Sequence, residues 1–118
     1  MSVETDHQEI AEKISLRFRS RWLRGYARAK IARDPVYAAV FDRIRNSPLP
    51  LLDIGCGIGI LAMYLRERGF DQPILGTDSD GAKIEAAQAA SDSCAGLQFR
   101  QGDAREAQDG FRGHGYPL

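Results

Sequence analysis

The chain predicts an α/β fold: a parallel sheet of three strands in spatial order 3-2-1, layered with helices as α/β/α and preceded by N-terminal helices. Three observations carry this. Short apolar runs alternate with helix-patterned stretches from residue 49 to residue 100, the order that produces parallel pairing through crossover helices. Glycines stand at alternate positions, Gly55, Gly57 and Gly59, directly between the first run and the helix after it. An aspartate lies at or just past the end of each run, Asp53, Asp78 and Asp103.

Residues 8–31 read as helix, with Ile10, Ile14, Phe18, Trp22 and Tyr26 recurring about every four positions. Lys13, Arg17, Arg21, Arg24 and Arg28 fall between them, and Gly25 is the expected break. Asp34-Pro35 supplies a side-chain cap followed by a proline suited to the first helical position. The helix so opened carries Val36, Val40, Phe41 and Ile44 on one side and stops near Asn46-Ser47-Pro48. Leu49 to Ile54 is a continuous apolar run of the kind that forms a strand buried on both faces. The next helix turns Leu61, Tyr64 and Leu65 to the core and ends at Gly69, a C-terminal cap. Pro73 to Thr77 is the second strand, Asp78-Ser79-Asp80 a cap, and Ala82 to Ala90 an alanine-rich helix. Leu97 to Arg100 is the third strand. The expected regions are therefore helical over 1–48, a partial nucleotide-binding domain over 49–109, and an irregular glycine-rich tail over 110–118.

Composition bounds the function. At 118 residues, 43% hydrophobic and 27% charged, the chain is one small globular domain. Zero formal net charge provides no global field to recruit nucleic acid or membrane. The charge is lopsided, however: residues 1–45 hold ten Lys/Arg against six Asp/Glu, and residues 46–118 hold six against ten. Cys56 and Cys94 make neither a disulfide framework nor a metal-ligand pattern, which fits a reduced, cytoplasmic setting without a metal. The acidic, polar N-terminus is wrong for a secretory signal, and no window has the length of a membrane span.

Open parallel sheets bind ligands at the carboxyl ends of their strands. A strand, a glycine turn and a helix N-terminus together cradle a nucleotide-like ligand, although an ordinary strand–turn–helix corner would need one glycine too. Asp78 lies 21 residues after Gly57, close to the roughly 20-residue spacing of a ribose-binding acid. Ile60 occupies the place of the third glycine in the dinucleotide fingerprint, so a nicotinamide-binding half-domain is disfavoured. The absence of Gly-Lys-Ser/Thr excludes a triphosphate loop. Asp53 would repel a pyrophosphate and favour a ligand bearing an ammonium or sulfonium cation.

The segment from 49 to about 105 resembles the class I S-adenosylmethionine-dependent methyltransferases, whose fold is Rossmann-like. Leu-Leu-Asp-Ile-Gly-Cys-Gly-Ile-Gly matches the family's first motif, Ile-Leu-Gly-Thr-Asp-Ser-Asp its second, and Phe-Arg-Gln-Gly-Asp-Ala its third. The resemblance implies that Asp78 holds the ribose, that Asp103 faces the adenine amino group, and that the Ala104 backbone meets the ring. The cofactor-binding set it implies is Asp53, Gly55, Cys56, Gly57, Gly59, Asp78, Ser79, Asp103 and Ala104, with S-adenosylmethionine as the cofactor.

Family members continue through a fourth strand that supplies residues beside the transferred methyl group, and this sequence carries no such strand. The expectation is a chain truncated before the fourth strand, inactive alone, with no catalytic residue to name. His114 and Tyr116 lie in the irregular tail, and His7 reads as surface. The intact enzyme is expected to methylate a small molecule, at oxygen or nitrogen. Alternatives are an inert binding or assembly module and a nucleic-acid methyltransferase. For the latter, Arg17, Arg19, Arg21, Arg24, Arg28, Lys30 and Arg33 would contact phosphates while Trp22 and Tyr26 stack on bases. The plainer reading has an amphipathic helix covering the sheet, or Arg24 meeting the cofactor carboxylate. Anionic substrates or carrier-bound acyl groups also suit this surface. An unpaired, apolar first strand (Leu51, Leu52, Ile54) is expected to drive self-association.

Overall fold

The computed structural model describes residues 3–103. Its elements run α1 (Val3–Ser15), α2 (Arg21–Arg33), α3 (Val36–Ile44), β1 (Leu51–Ile54), α4 (Ile60–Glu67), β2 (Ile74–Asp78), α5 (Gly81–Ala90) and β3 (Leu97–Gln101). The three strands are parallel with β2 central, so the α/β architecture and the strand order are those the sequence predicts. The register pairs Leu51 with Ile74 and Ile74 with Leu97, which brings the carboxyl ends of all three strands to one edge of the molecule.

The N-terminal region departs from its expected form. The helix predicted over 8–31 is two helices, and the break falls at residues 16–20 rather than at Gly25, which stays inside α2. Side chains that bond locally to the backbone decide this. The Ser15 hydroxyl donates back to the Glu12 carbonyl at 2.7 Å, and the Ser20 hydroxyl caps α2 by accepting from the Leu23 N–H at 3.2 Å. Arg24 Nε donates to the Phe18 carbonyl at 2.6 Å, so Arg24 holds the turn and does not face the cleft. The break resets the helical phase. Ala27 and Ile31 are buried, whereas Trp22 is 73% exposed and Tyr26 44%, so the last two positions of the predicted core stripe face outward.

His7 is not a surface residue either. It is half-buried, and its Nδ1 lies 3.1 Å from the Tyr64 hydroxyl while Nε2 contacts the Ile31 carbonyl. A carbonyl only accepts, so Nε2 carries the proton and Nδ1 accepts from Tyr64. The Tyr64 oxygen in turn accepts from Arg68 at 2.6 Å. This chain ties α1 to α2 and α4 around a fully buried Tyr64. Lys13 and Arg17 both pair with Glu67, and Arg28 pairs with Glu12 at 2.9 Å, so several of the basic residues of 1–33 are used within the fold.

The rest follows local signals. The Asp34 carboxylate accepts from the Val36 N–H at 3.0 Å and opens α3 beside Pro35. Helix α4 ends at Gly69 in the left-handed conformation (φ +103), with the Phe70 N–H on the Leu65 carbonyl and the Phe70 ring buried, a Schellman-type stop. Asp80 caps α5 by accepting from Ala82 and Lys83. The core joins Met63, Tyr64 and Leu65 of α4 to Ile74, Ile84, Ala87 and Phe99, with Ile14, Phe18, Ile31 and Phe41 from the N-terminal helices. Strand β2 is buried apart from a partly exposed Asp78. Strand β1 is not buried on both faces as expected: Leu51 and Leu52 are half-buried and Ile54 is 49% exposed. Its outer edge has no strand partner among the described residues, because only β2 pairs with it.

Candidate functional site

The loop after β1 is shaped by its glycines and tied to β2. Gly55, Gly57 and Gly59 all have positive φ (+78, +58 and +85), which side-chain-bearing residues rarely adopt. The N–H groups of Gly55 and Cys56 both donate to the Thr77 carbonyl, at 2.7 and 2.9 Å. The Gly57 N–H donates to the Asp78 carboxylate at 2.9 Å, so the loop is clasped by the acid at the end of the neighbouring strand.

The glycines divide into two roles. A Cβ at Gly55 or Gly57 would meet no described atom within 4 Å, so these positions border open space. A Cβ at Gly59 would lie 2.8 Å from the Phe99 ring and 3.1 Å from Ala87. Gly59 therefore permits close packing of helix on sheet and does not line the cleft. Gly76 serves the same ring, since a Cβ there would sit 2.7 Å from Phe99.

Above the loop lies a cleft of about 330 Å³. Asp53, Gly55, Cys56, Gly57 and Asp78 line it, five members of the predicted set brought together from β1, its loop and β2. Ser79 and Asp103 do not line it; Ser79 is exposed at the end of β2, and Asp103 is exposed just past β3. Ala104, His114 and Tyr116 lie outside the described residues. Tyr26 and Lys30 of α2, which the sequence offered only for nucleic-acid contact, also line it, as do Asp34, Tyr37 and Lys83, which the sequence did not mark as site residues. They reach the cleft by helix packing across the chain, for which no local motif exists; the Asp34-Pro35 cap marked only the corner that turns α3 toward β1.

The two acids behave differently. Burial, and then the neighbouring Asp78 charge, push the Asp53 carboxyl up from 3.8 to about 6. The Asp78 carboxyl is held below its usual value by the N–H groups of Asp80 and Gly57 that donate to it. Asp78 is therefore an ionised acceptor at neutral pH, and Asp53 is a carboxylate disfavoured by burial, with no ion-pair partner among the described residues. Burial, with Asp53 and Asp78 beside it, raises the Cys56 thiol to about 12, so it is no thiolate nucleophile. Burial likewise raises Tyr37 to about 12, keeping a neutral phenol next to Asp53. No group of side chains able to hold a metal ion occurs among the described residues. No described helix is long and apolar enough to cross a membrane.

Residues 51–114, more than half of the sequence, match the family model described as a methyltransferase domain. The chain belongs to this family. The resemblance read from the three motifs thus holds at family level. Among solved structures, Thermoplasma acidophilum 1320 is 22% identical with a TM-score of 0.57, covering 90% of this chain and 49% of its own. WbdD is 25% identical with a TM-score of 0.52, covering 62% of this chain and 18% of its own. The plantazolicin methyltransferase BamL, solved with SAH, is 17% identical with a TM-score of 0.49 over 91% of this chain and 43% of its own. This methyltransferase domain spans less than half the length of those solved structures. No curated protein matches its sequence.

Proposed function

We propose that this methyltransferase domain is the donor-binding part of an S-adenosylmethionine-dependent enzyme that methylates a small molecule in the cytoplasm. The observation that carries the reading is the convergence of Asp53, Gly55, Gly57 and Asp78 on one cleft at the carboxyl ends of β1 and β2. The fit can be judged on the donor set itself. Gly55 and Gly57 present bare backbone to the cleft, and Asp53 is a half-buried carboxylate that a cation would relieve. Asp78 spends one lone pair of each oxygen on the Asp80 and Gly57 N–H groups, at 2.9 Å each, and keeps acceptor capacity on both for a diol.

S-Adenosylmethionine supplies an electrophilic methyl group on a sulfonium sulfur when bound. In this reading the chain binds and orients. Asp78 accepts from the ribose hydroxyls, and Asp53 offsets the positive end of the donor. Glycine positions 55 and 57 let the ligand approach the main chain, and the neutral Tyr37 hydroxyl stands ready as a hydrogen-bond donor. Holding the donor in one orientation is the chain's contribution to rate. Calorimetry with S-adenosylmethionine and S-adenosylhomocysteine tests this directly. Micromolar binding that falls at least tenfold in Asp78→Ala is expected, and no binding by the wild-type chain would remove the reading.

The solvent-facing edge of β1 supports a second element of the proposal, self-association through a further copy. Its outer backbone groups have no strand partner among the described residues, and Leu49 and Ile54 beside them are 55% and 49% exposed.

A further inference from the structure

The outward face of α2 carries a feature that the donor cleft does not use. Trp22 and Tyr26, one helical turn apart, stack nearly parallel, with ring centroids 5.7 Å apart and 10° between planes. Both are exposed, while Phe18, Tyr37, Phe41, Tyr64, Phe70 and Phe99 are all buried. The stripe continues along the same face through Lys30 and Arg33. Beside the donor cleft opens a second hollow of about 450 Å³, lined by Tyr26, Ala29, Lys30, Arg33, Asp34 and Pro35. Tyr26, Lys30 and Asp34 line both spaces, so the two share a wall.

The chemistry of the hollow selects its occupant. Its wall is mostly apolar, and the Tyr26 ring that forms part of it is braced by the stacked Trp22. Flat rings of this kind take a flat partner by offset stacking. Of the two cations on the wall, Lys30 is engaged with Asp34 at 3.5 Å. Arg33 is exposed and has no ion-pair partner among the described residues. A guanidinium presents a planar fork that matches a carboxylate with two parallel hydrogen bonds. The volume suits a small ligand, since such pockets run from about 300 to 1,000 Å³.

We propose that this hollow is a pocket for a small planar aromatic anion, stacked on Tyr26 and held through Arg33, and that this anion is the methyl acceptor. The acceptor role rests on the donor reading of the adjoining cleft; the anion pocket stands on the α2 geometry alone. Long-chain or purely aliphatic acceptors do not match the ring pair, and a cationic acceptor does not match Arg33.

Trp22 is the chain's only tryptophan and stacks on Tyr26, which lines this pocket, so its emission reports on events at the Tyr26 ring. The test titrates 2-naphthoate and, as the uncharged isostere, 2-naphthamide into the 118-residue chain. Saturable quenching with at least fivefold tighter binding of the naphthoate is expected. Arg33→Gln should erase that preference while leaving naphthamide binding in place, and Tyr26→Ala should weaken both ligands at least threefold. Equal affinity for the two ligands, no saturable quenching, or tighter Arg33-dependent binding of oligothymidylate than of naphthoate would each overturn the pocket. Calorimetry with S-adenosylhomocysteine on the same samples reports the donor cleft separately. Naphthoate binding without homocysteine-ligand binding keeps the anion pocket and overturns its role as acceptor; the converse overturns the pocket and keeps the donor reading.

Discussion

Asp53 shows how one residue can cost stability and serve binding. Its carboxyl ionises near 6 in the folded chain against 3.8 ordinarily, so between those values the folded state holds the extra proton. Stability from this group is therefore greatest below the lower value and is lost as pH rises through about 6, amounting to at most about 3 kcal/mol once ionisation is complete. Asp53→Asn should accordingly raise the unfolding free energy at pH 7.5 by about 1–2 kcal/mol and leave it unchanged at pH 4, measured by urea denaturation. The same titration predicts a ligand effect of defined sign. The preference for sulfonium donor over thioether product should rise about fivefold from pH 5 to pH 7.5, following Asp53 ionisation, and should be flat in Asp53→Asn. At this scale the sequence was informative wherever function sits on consecutive residues, as at Asp53, Gly55 and Gly57, or at a fixed spacing, as at Asp78. Tyr37 and Lys83 were illegible because burial against distant elements, not local spacing, brings them to the cleft.

Elements were legible where their end signals are local. The Asp34 and Asp80 caps, the Gly69 stop and the three strand positions all lie within a few residues of where the sequence put them. The α1–α2 break was hidden because Ser15, Ser20 and Arg24 act through backbone bonds that a hydrophobic period does not register. The break at residues 16–20 shifts the helical phase and turns Trp22 outward. The glycine loop makes a separable prediction. Gly59→Ala forces a Cβ against Phe99 at positive φ and should destabilise the chain by about 2–3 kcal/mol. Gly55→Ala meets no described atom, should cost only about 1 kcal/mol in thermal unfolding, and should instead weaken donor binding. Strand β1 should pair with its counterpart in a second copy, seen as dimer in sedimentation velocity at high micromolar concentration. Ile54→Lys on the exposed edge should return it to monomer.

In the whole molecule, the N-terminal helices act as one wall of the cleft, and their attachment decides whether that wall stays put. The His7–Tyr64–Arg68 chain spans α1 and α4 while also reaching α2, so His7→Ala should lower stability by about 1–2 kcal/mol. It should also lower donor affinity, which calorimetry would register although position 7 does not line the cleft. The outward setting of Trp22 has a practical corollary for anyone melting this protein. Its indole is already bathed in water in the native state. Heating or urea will disperse the buried tyrosines and phenylalanines with little change in the indole's colour, and the far-ultraviolet dichroism will report a cooperative loss that the emission maximum misses.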